Sequence, residues 1–118
     1  MKHPSISSAQ VKRAIISGTA GDVSVIAAVT GKKFRVLSFY VRQSAAGTVR
    51  FESAAGGTAL TGVMVTTTAD LAIECAFNPF GHFETTVSEA LSIEAGTGAV
   101  MGWLTYQEIG GVGSGVAA

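Results

Sequence analysis

The sequence predicts an all-β fold, a sandwich or barrel of about eight antiparallel strands, and three observations predict it. Helix signals are nearly absent. Short β-branched runs recur along the chain, divided by Gly, Ala, Thr or Asn-Pro clusters. Most of the links between these runs are short, as in sandwiches and barrels.

Taken in order, "VKRAIIS" (11–17) reads as the first strand and "GTAGD" as the turn after it. "VSVIAAV" (23–29) follows, closed by "TGKK", and then the long "FRVLSFYVRQ" (34–43). "TVRFES" (48–53) comes next, and "TALTGVMV" (58–65) is a strand broken or bulged at Gly62. "LAIECAF" (71–77) leads through the corner "FNPFGHFET" into the short "HFETTV" (82–87), then "LSIEA" (91–95). The last strand, "AVMGWLTYQEI" (99–109), is again long. Residues 1–10 show no period and read as an arm, residues 11–109 as the domain, and the glycine-rich 110–118 as a flexible tail.

A chain of 118 residues fits one domain, which at this size buries roughly 65% of its unfolded surface. With 47% apolar and 14% charged residues, the bulk of the chain is not of a disordered type. Eight basic residues balance eight acidic ones, so no net field draws nucleic acid or an anionic membrane. A near-neutral surface also favours association. Cys75 is the only cysteine, which excludes an intrachain disulfide, and in "LAIECAF" it reads as a small buried hydrophobe. The first sixteen residues lack an apolar signal core, and no apolar run approaches a membrane span, so folding in a reducing cytoplasm is expected.

Alternation assigns the faces. Val49 and Phe51 face inward, with Thr48, Arg50 and Glu52 outward; Leu71, Ile73, Cys75 and Phe77 form another inward row. Leu91 and Ile93 point in, Ser92 and Glu94 out. The two longest strands break this rule. In 34–43, Leu37, Phe39 and Val41 form one row while Phe34, Val36 and Tyr40 form the other; in 99–109, Val100, Leu104 and Tyr106 oppose Met101 and Trp103. A sandwich wets its outer faces, so apolar residues on both sides of a strand call for a second cover. With no helix to spare, another copy of the chain is the simplest one. Phe34, Val36, Tyr40, Met101 and Trp103 are therefore the expected subunit interface.

The corner "FNPFGHFET" carries the best candidate for chemistry. His82 and Glu84 share a strand face and suit a metal or acid–base pair. The only other histidine is His3, in the arm, so the three ligands of a catalytic zinc are not at hand. The structural reading is simpler. Asn78-Pro79 opens a turn, Gly81 supplies a positive φ, and Phe77, Phe80 and Phe83 plug the end of the sandwich with His82 at its rim. No nucleophile triad is suggested by spacing, and "GTAGD" and "AAGGT" lack the Lys-Ser/Thr and helix of a phosphate loop. Lys32, Lys33 and Arg35 are too few and too isolated for nucleic-acid binding and read as a solvated strand entrance. No catalytic, cofactor-binding or metal residue is assigned, and no cofactor is expected.

The run "FNPFGHFETTVSEALSIEAGTGAVMGWLTYQEI" resembles a pattern in small virion proteins of tailed bacteriophages: an Asn-Pro-x-Gly-aromatic corner, then "E-T", an "E-A-L" strand opening and a closing Gly-aromatic-x-Thr-Tyr strand. The upstream "GKKFRVLSFYVRQSAAGTVRFESAAGGTALTG" is similar to them too, so the likeness spans residues 31–109. His82 departs from it, where a bulky aromatic is expected. The resemblance implies an eight-stranded jelly roll shaped like tumour-necrosis-factor trimers, with no catalytic residues. It implies a capsid decoration protein, a homotrimer on the head exterior whose partners are itself and the major capsid protein, found on the virion after synthesis in the host cytoplasm. A trimer gripping three shell subunits gains retention by multivalency. Lys2, His3, Lys12 and Arg13 are then the expected capsid-contacting arm, ordering on the shell. A tail or fibre module binding host glycan or protein is the second expectation, and a cupin-like metalloenzyme built on His82 and Glu84 the third.

Overall fold

The computed structural model describes residues 10–110; the rest of the arm, with Lys2 and His3, and the tail from 111 onward lie outside the described residues. Within them the chain forms strands β1 (Lys12–Gly18), β2 (Gly21–Ile26), β3 (Lys32–Gln43), β4 (Gly47–Ser53), β5 (Thr58–Ala59), β6 (Met64–Thr66), β7 (Ala72–Cys75), β8 (Phe83–Glu84), β9 (Leu91–Ala95) and β10 (Val100–Gly110). They make two antiparallel sheets stacked as a sandwich. One runs β1-β10-β3-β7 with β8 also on β3; the other runs β2-β9-β4-β5 with β6 also on β4.

Each sheet has one interrupted edge. The predicted 58–65 strand is split into β5 and β6, which pair with opposite ends of β4. β7 and β8 likewise pair with β3 at residues 39–42 and 35–36, with residues 76–82 looped out between them. Such broken edges offer little unpaired backbone to a neighbouring chain.

Apolar side chains of both sheets meet between the layers. Ile16, Phe34, Val36, Phe39, Val41, Val100 and Leu104 come from the first sheet, and Val49, Phe51, Leu91, Ile93 and Ala95 from the second. Phe51 bridges them, its ring 5.0 Å from that of Phe39 and 5.1 Å from that of Phe83. Gln43 is also buried; its amide nitrogen donates to the carbonyls of Thr48 at 3.0 Å and Thr97 at 3.3 Å, and its oxygen accepts from the Thr66 hydroxyl at 3.2 Å. A buried amide so fully partnered ties β3 to the strands and loops of the facing sheet.

Phe34 and Val36 require a correction: both are fully buried in the chain's own core and cannot form a subunit interface. The reason is a β-bulge. Thr105 of β10 pairs with Ser38 and Tyr106 with Val36, leaving Leu37 as an extra residue in β3. The insertion reverses the alternation, so residues 34 and 36 share the inward face with 39 and 41, while 38 and 40 point out. A single unbroken period, as the sequence suggests, puts them on opposite sides.

Gly102 sits on the inward row of β10, between Val100 and Leu104, with φ near 147°. A Cβ there would collide with the Tyr40 carbonyl oxygen and press on Val41 Cα at 3.2 Å. Close approach of β10 and β3 depends on its having no side chain.

Candidate functional site

The outward face of the first sheet carries an apolar, aromatic surface. Inward placement of Ala14 and Ile16 sends Arg13, Ile15 and Ser17 outward on β1. By the same alternation Met101, Trp103 and Thr105 point out on β10, Ser38, Tyr40 and Arg42 on β3, and Glu74 on β7. The registers align Ile15, Trp103, Tyr40 and Glu74 in one row across four strands. Tyr40 and Trp103 stack with ring centroids 6.3 Å apart and planes within 16°. The Arg13 guanidinium lies 5.7 Å from the Trp103 ring centre, where a cation–π attraction operates. Arg13, Trp103 and Thr105 line an open depression. Ile15 is 68% exposed, beyond what a core or edge position requires. Arg42 reaches Met101 Sδ at 3.6 Å, closing the other flank of the patch.

Of the expected interface residues, Tyr40, Met101 and Trp103 thus lie together on this face, whereas Phe34 and Val36 do not. Lys12 and Arg13 belong to β1 rather than to an arm: Lys12 approaches Glu108 at 3.5 Å, and Arg13 is held over Trp103. Ile15 was missed. Its signal was its place opposite Ile16 in "RAII", which gives β1 apolar residues on both faces.

The corner has a different task. Gly81 N–H donates to the Asn78 carbonyl at 2.9 Å, and Phe80 N–H to the Asn78 side chain at 2.9 Å, forming the expected turn. Asn78 and His82 N–H groups then bond to the carbonyls of Leu37 and Val36 at 2.9 and 2.8 Å, fastening the loop to the bulge. Gly81 has φ of 84° and lies against the aliphatic stem of Arg35, so a side chain there would clash as well as strain the backbone. Only Phe83 enters the core; Phe77 and Phe80 are 54% and 63% exposed and plug nothing. His82 Nε2 sits 2.7 Å from the Ala76 carbonyl. Glu84 is gripped by Lys33 Nζ at 2.7 Å and Arg35 Nε at 2.6 Å. The His82–Glu84 pairing is therefore spent on local structure, and two of the three predicted cations of the strand entrance are taken up by one carboxylate.

Burial alone would raise the Glu84 pKa, but the hydrogen bonds and charges of Lys33 and Arg35 outweigh it and hold the carboxyl below its ordinary value. A lowered folded-state value means that the carboxylate contributes stability above the ordinary glutamate range, and that this contribution is lost as pH falls through the folded value. Thermal melts of the wild type and Glu84→Gln should differ most at about pH 7 and converge towards about pH 3, the wild type losing more on acidification.

Cys75 is half-buried and packs against the core from β7, close to the reading from sequence. The second sheet presents a contrasting outer face, on which Asp22, Glu52 and Glu94 gather around Arg50. Sequence alternation placed Glu52 and Glu94 outward but gave no pairing of β2, β9 and β4, without which the cluster cannot be read.

No family model matches the chain, and no curated protein or solved structure is matched either.

Proposed function

We propose that this chain is a non-enzymatic structural protein of a tailed-bacteriophage virion, a jelly-roll capsid decoration protein that binds the head exterior as a homotrimer. The single observation that carries the assembly is the outward row Ile15–Trp103–Tyr40 with Met101 beside it. Aromatic side chains bury about 150–250 Å² each when covered, and the described residues contain no helix to cover them. Arg13 and Arg42 on this face and Glu74 at its β7 edge give a polar rim of both signs, the arrangement that fixes register between copies. The head location rests on the resemblance of residues 31–109 to small virion proteins.

Light scattering should give three times the chain mass. Trp103→Glu faces outward and spares the core, so it should shift the species to monomer while the protein stays folded by circular dichroism; desolvating a charge in an apolar contact should weaken association at least about a hundredfold. Wild type should co-sediment with expanded phage heads and delay their rupture. A monomer at micromolar concentration, or heads indifferent to the protein, overturns the proposal.

A second reading is a tail or fibre module recognising host glycan or protein, whose contact surface would be the Tyr40–Trp103 pair and the depression lined by Arg13, Trp103 and Thr105. Retention on a glycan array, abolished by Trp103→Ala and accompanied by absence from purified heads, distinguishes it.

A further inference from the structure

On the outer face of the second sheet, we infer a calcium-binding site built from the carboxylates of Asp22, Glu52 and Glu94 with the hydroxyl of Ser92. Core packing of Val49, Phe51, Leu91, Ile93 and Ala95 sends Arg50, Glu52, Ser92 and Glu94 to the opposite side of their strands. The registers then set Asp22 beside Glu94 and Glu94 beside Arg50, and one step along, Ser92 beside Glu52. One oxygen from each of the three carboxylates lies within 4.8 Å of the others. Arg50 sits among them, its Nη2 3.1 Å from Glu52 Oε2 and its Nε 3.2 Å from Glu94 Oε1. Three carboxyl groups thus share one guanidinium, with Glu52 fully buried and Asp22 and Glu94 open to solvent.

Two further features separate this cluster from a chance gathering of surface acids. Glu52 is fully buried although it points away from the core, because the turn after β4 folds over it and Gly56 N–H donates to its Oε1 at 3.0 Å. Ser92 is 1% exposed and its hydroxyl has no hydrogen-bond partner. Its position opposite Glu52 and two residues from Glu94 puts that hydroxyl on the same face as the carboxylates. A buried hydroxyl left unpartnered calls for a further polar partner, a water or an ion. All four donors are hard oxygens, which select a calcium- or magnesium-type ion over zinc or copper. Three carboxylates and a hydroxyl form an irregular, mostly protein-built oxygen set of the kind calcium accepts, whereas magnesium demands a near-ideal octahedron and keeps most of its waters. Glu94 and Asp22 remain open to solvent, giving the ion an entry path and room for water ligands. Arg50, 31% exposed, is the resident cation that a calcium ion displaces outward.

Titration of the metal-stripped full chain with calcium chloride, followed by calorimetry and thermal melting, tests this. One ion per chain should bind with a Kd of about 10⁻⁴ M, and a fifty-fold excess should raise Tm by about 5–10 °C. Glu94→Gln and Asp22→Asn, both at exposed positions that should not disturb folding, should each weaken binding at least about tenfold, and Ser92→Ala by less. Arg50→Met should tighten binding, because it removes the competing charge; a purely structural cluster would instead be destabilised with no gain in affinity. No heat and no Tm shift at 10 mM calcium (about a hundredfold excess), or a response unchanged in Glu94→Gln, overturns the site. An equal response to magnesium chloride overturns the assignment to calcium. These readouts do not depend on the oligomeric state, so the site and the assembly proposed above stand or fall separately.

Discussion

Gly102→Ala is expected to cost about 3 kcal/mol or more, which for a domain of this size removes a large part of the total stability. Two effects add. The backbone at this position has φ near 147°, where an L side chain is strained. The new methyl group would also be driven into the Tyr40 carbonyl, in the middle of the pairing between the two longest strands. Relief requires β10 and β3 to separate, and that breaks the ladder and the inward row of Val100 and Leu104 together. Chemical denaturation of the variant should show a midpoint far below that of the wild type. Ser and Val should do no better than Ala, since the obstruction is the Cβ itself. A wild-type midpoint in the alanine variant would show that the strands can be spread at little cost.

Phe51→Ala should rank beside it, with an expected loss of about 3–5 kcal/mol. The ring is fully buried and is the contact through which β4 of one sheet reaches Phe39 and Phe83 of the other. Its removal subtracts the transfer energy of a large side chain and leaves a cavity bordered by two rings, neither of which can close it by a rotamer change without abandoning its other neighbours. Phe51→Leu, which fills most of the volume, should recover over half of the loss. Because Phe51 points away from both outer faces, the two variants should leave the association behaviour of any surviving folded protein unchanged.

How far these features could be read in advance depends on how regular the pairing is. β4 and β9 are short and unbulged, so period-two alternation assigned Val49, Phe51, Leu91 and Ile93 to the core directly; of the predicted inward row on β7, Ile73 and Cys75 pack against the core, whereas Leu71, just outside the strand, is 45% exposed. β3 is different. Its extra residue, Leu37, is defined by what lies opposite in β10, and a partner strand some 65 residues away leaves no mark on the local pattern. One phase error followed: Phe34 and Val36 were placed with Tyr40, although Tyr40, Met101 and Trp103 were correctly placed opposite the core. The outward apolar face therefore holds fewer residues of β3 than the sequence suggests and gains Ile15 of β1. The corner was legible as a turn because Asn78, Pro79 and Gly81 have local conformational reasons to be there. That Phe77 and Phe80 stay outside was not legible, since β7 ends at Cys75 and the alternation that would turn Phe77 inward ends with it. Glu52 shows the opposite failure. Its outward direction was right, yet a turn folded over it buries it completely, which only the tertiary structure can reveal.

The bulge at Leu37 has an effect beyond the correction of two residues. By re-phasing β3 part-way along its length, it divides the exposed side of that sheet into unlike halves: stacked rings with an isoleucine and a methionine towards one end, and the Lys33–Glu84–Arg35 cluster towards the other. A uniformly greasy slab could be approached by a flat neighbour in either direction along the strands. This one has a dry pole and an ionic pole, so whatever lies against it can do so in only one sense, and a strand without its supernumerary residue would lose that polarity.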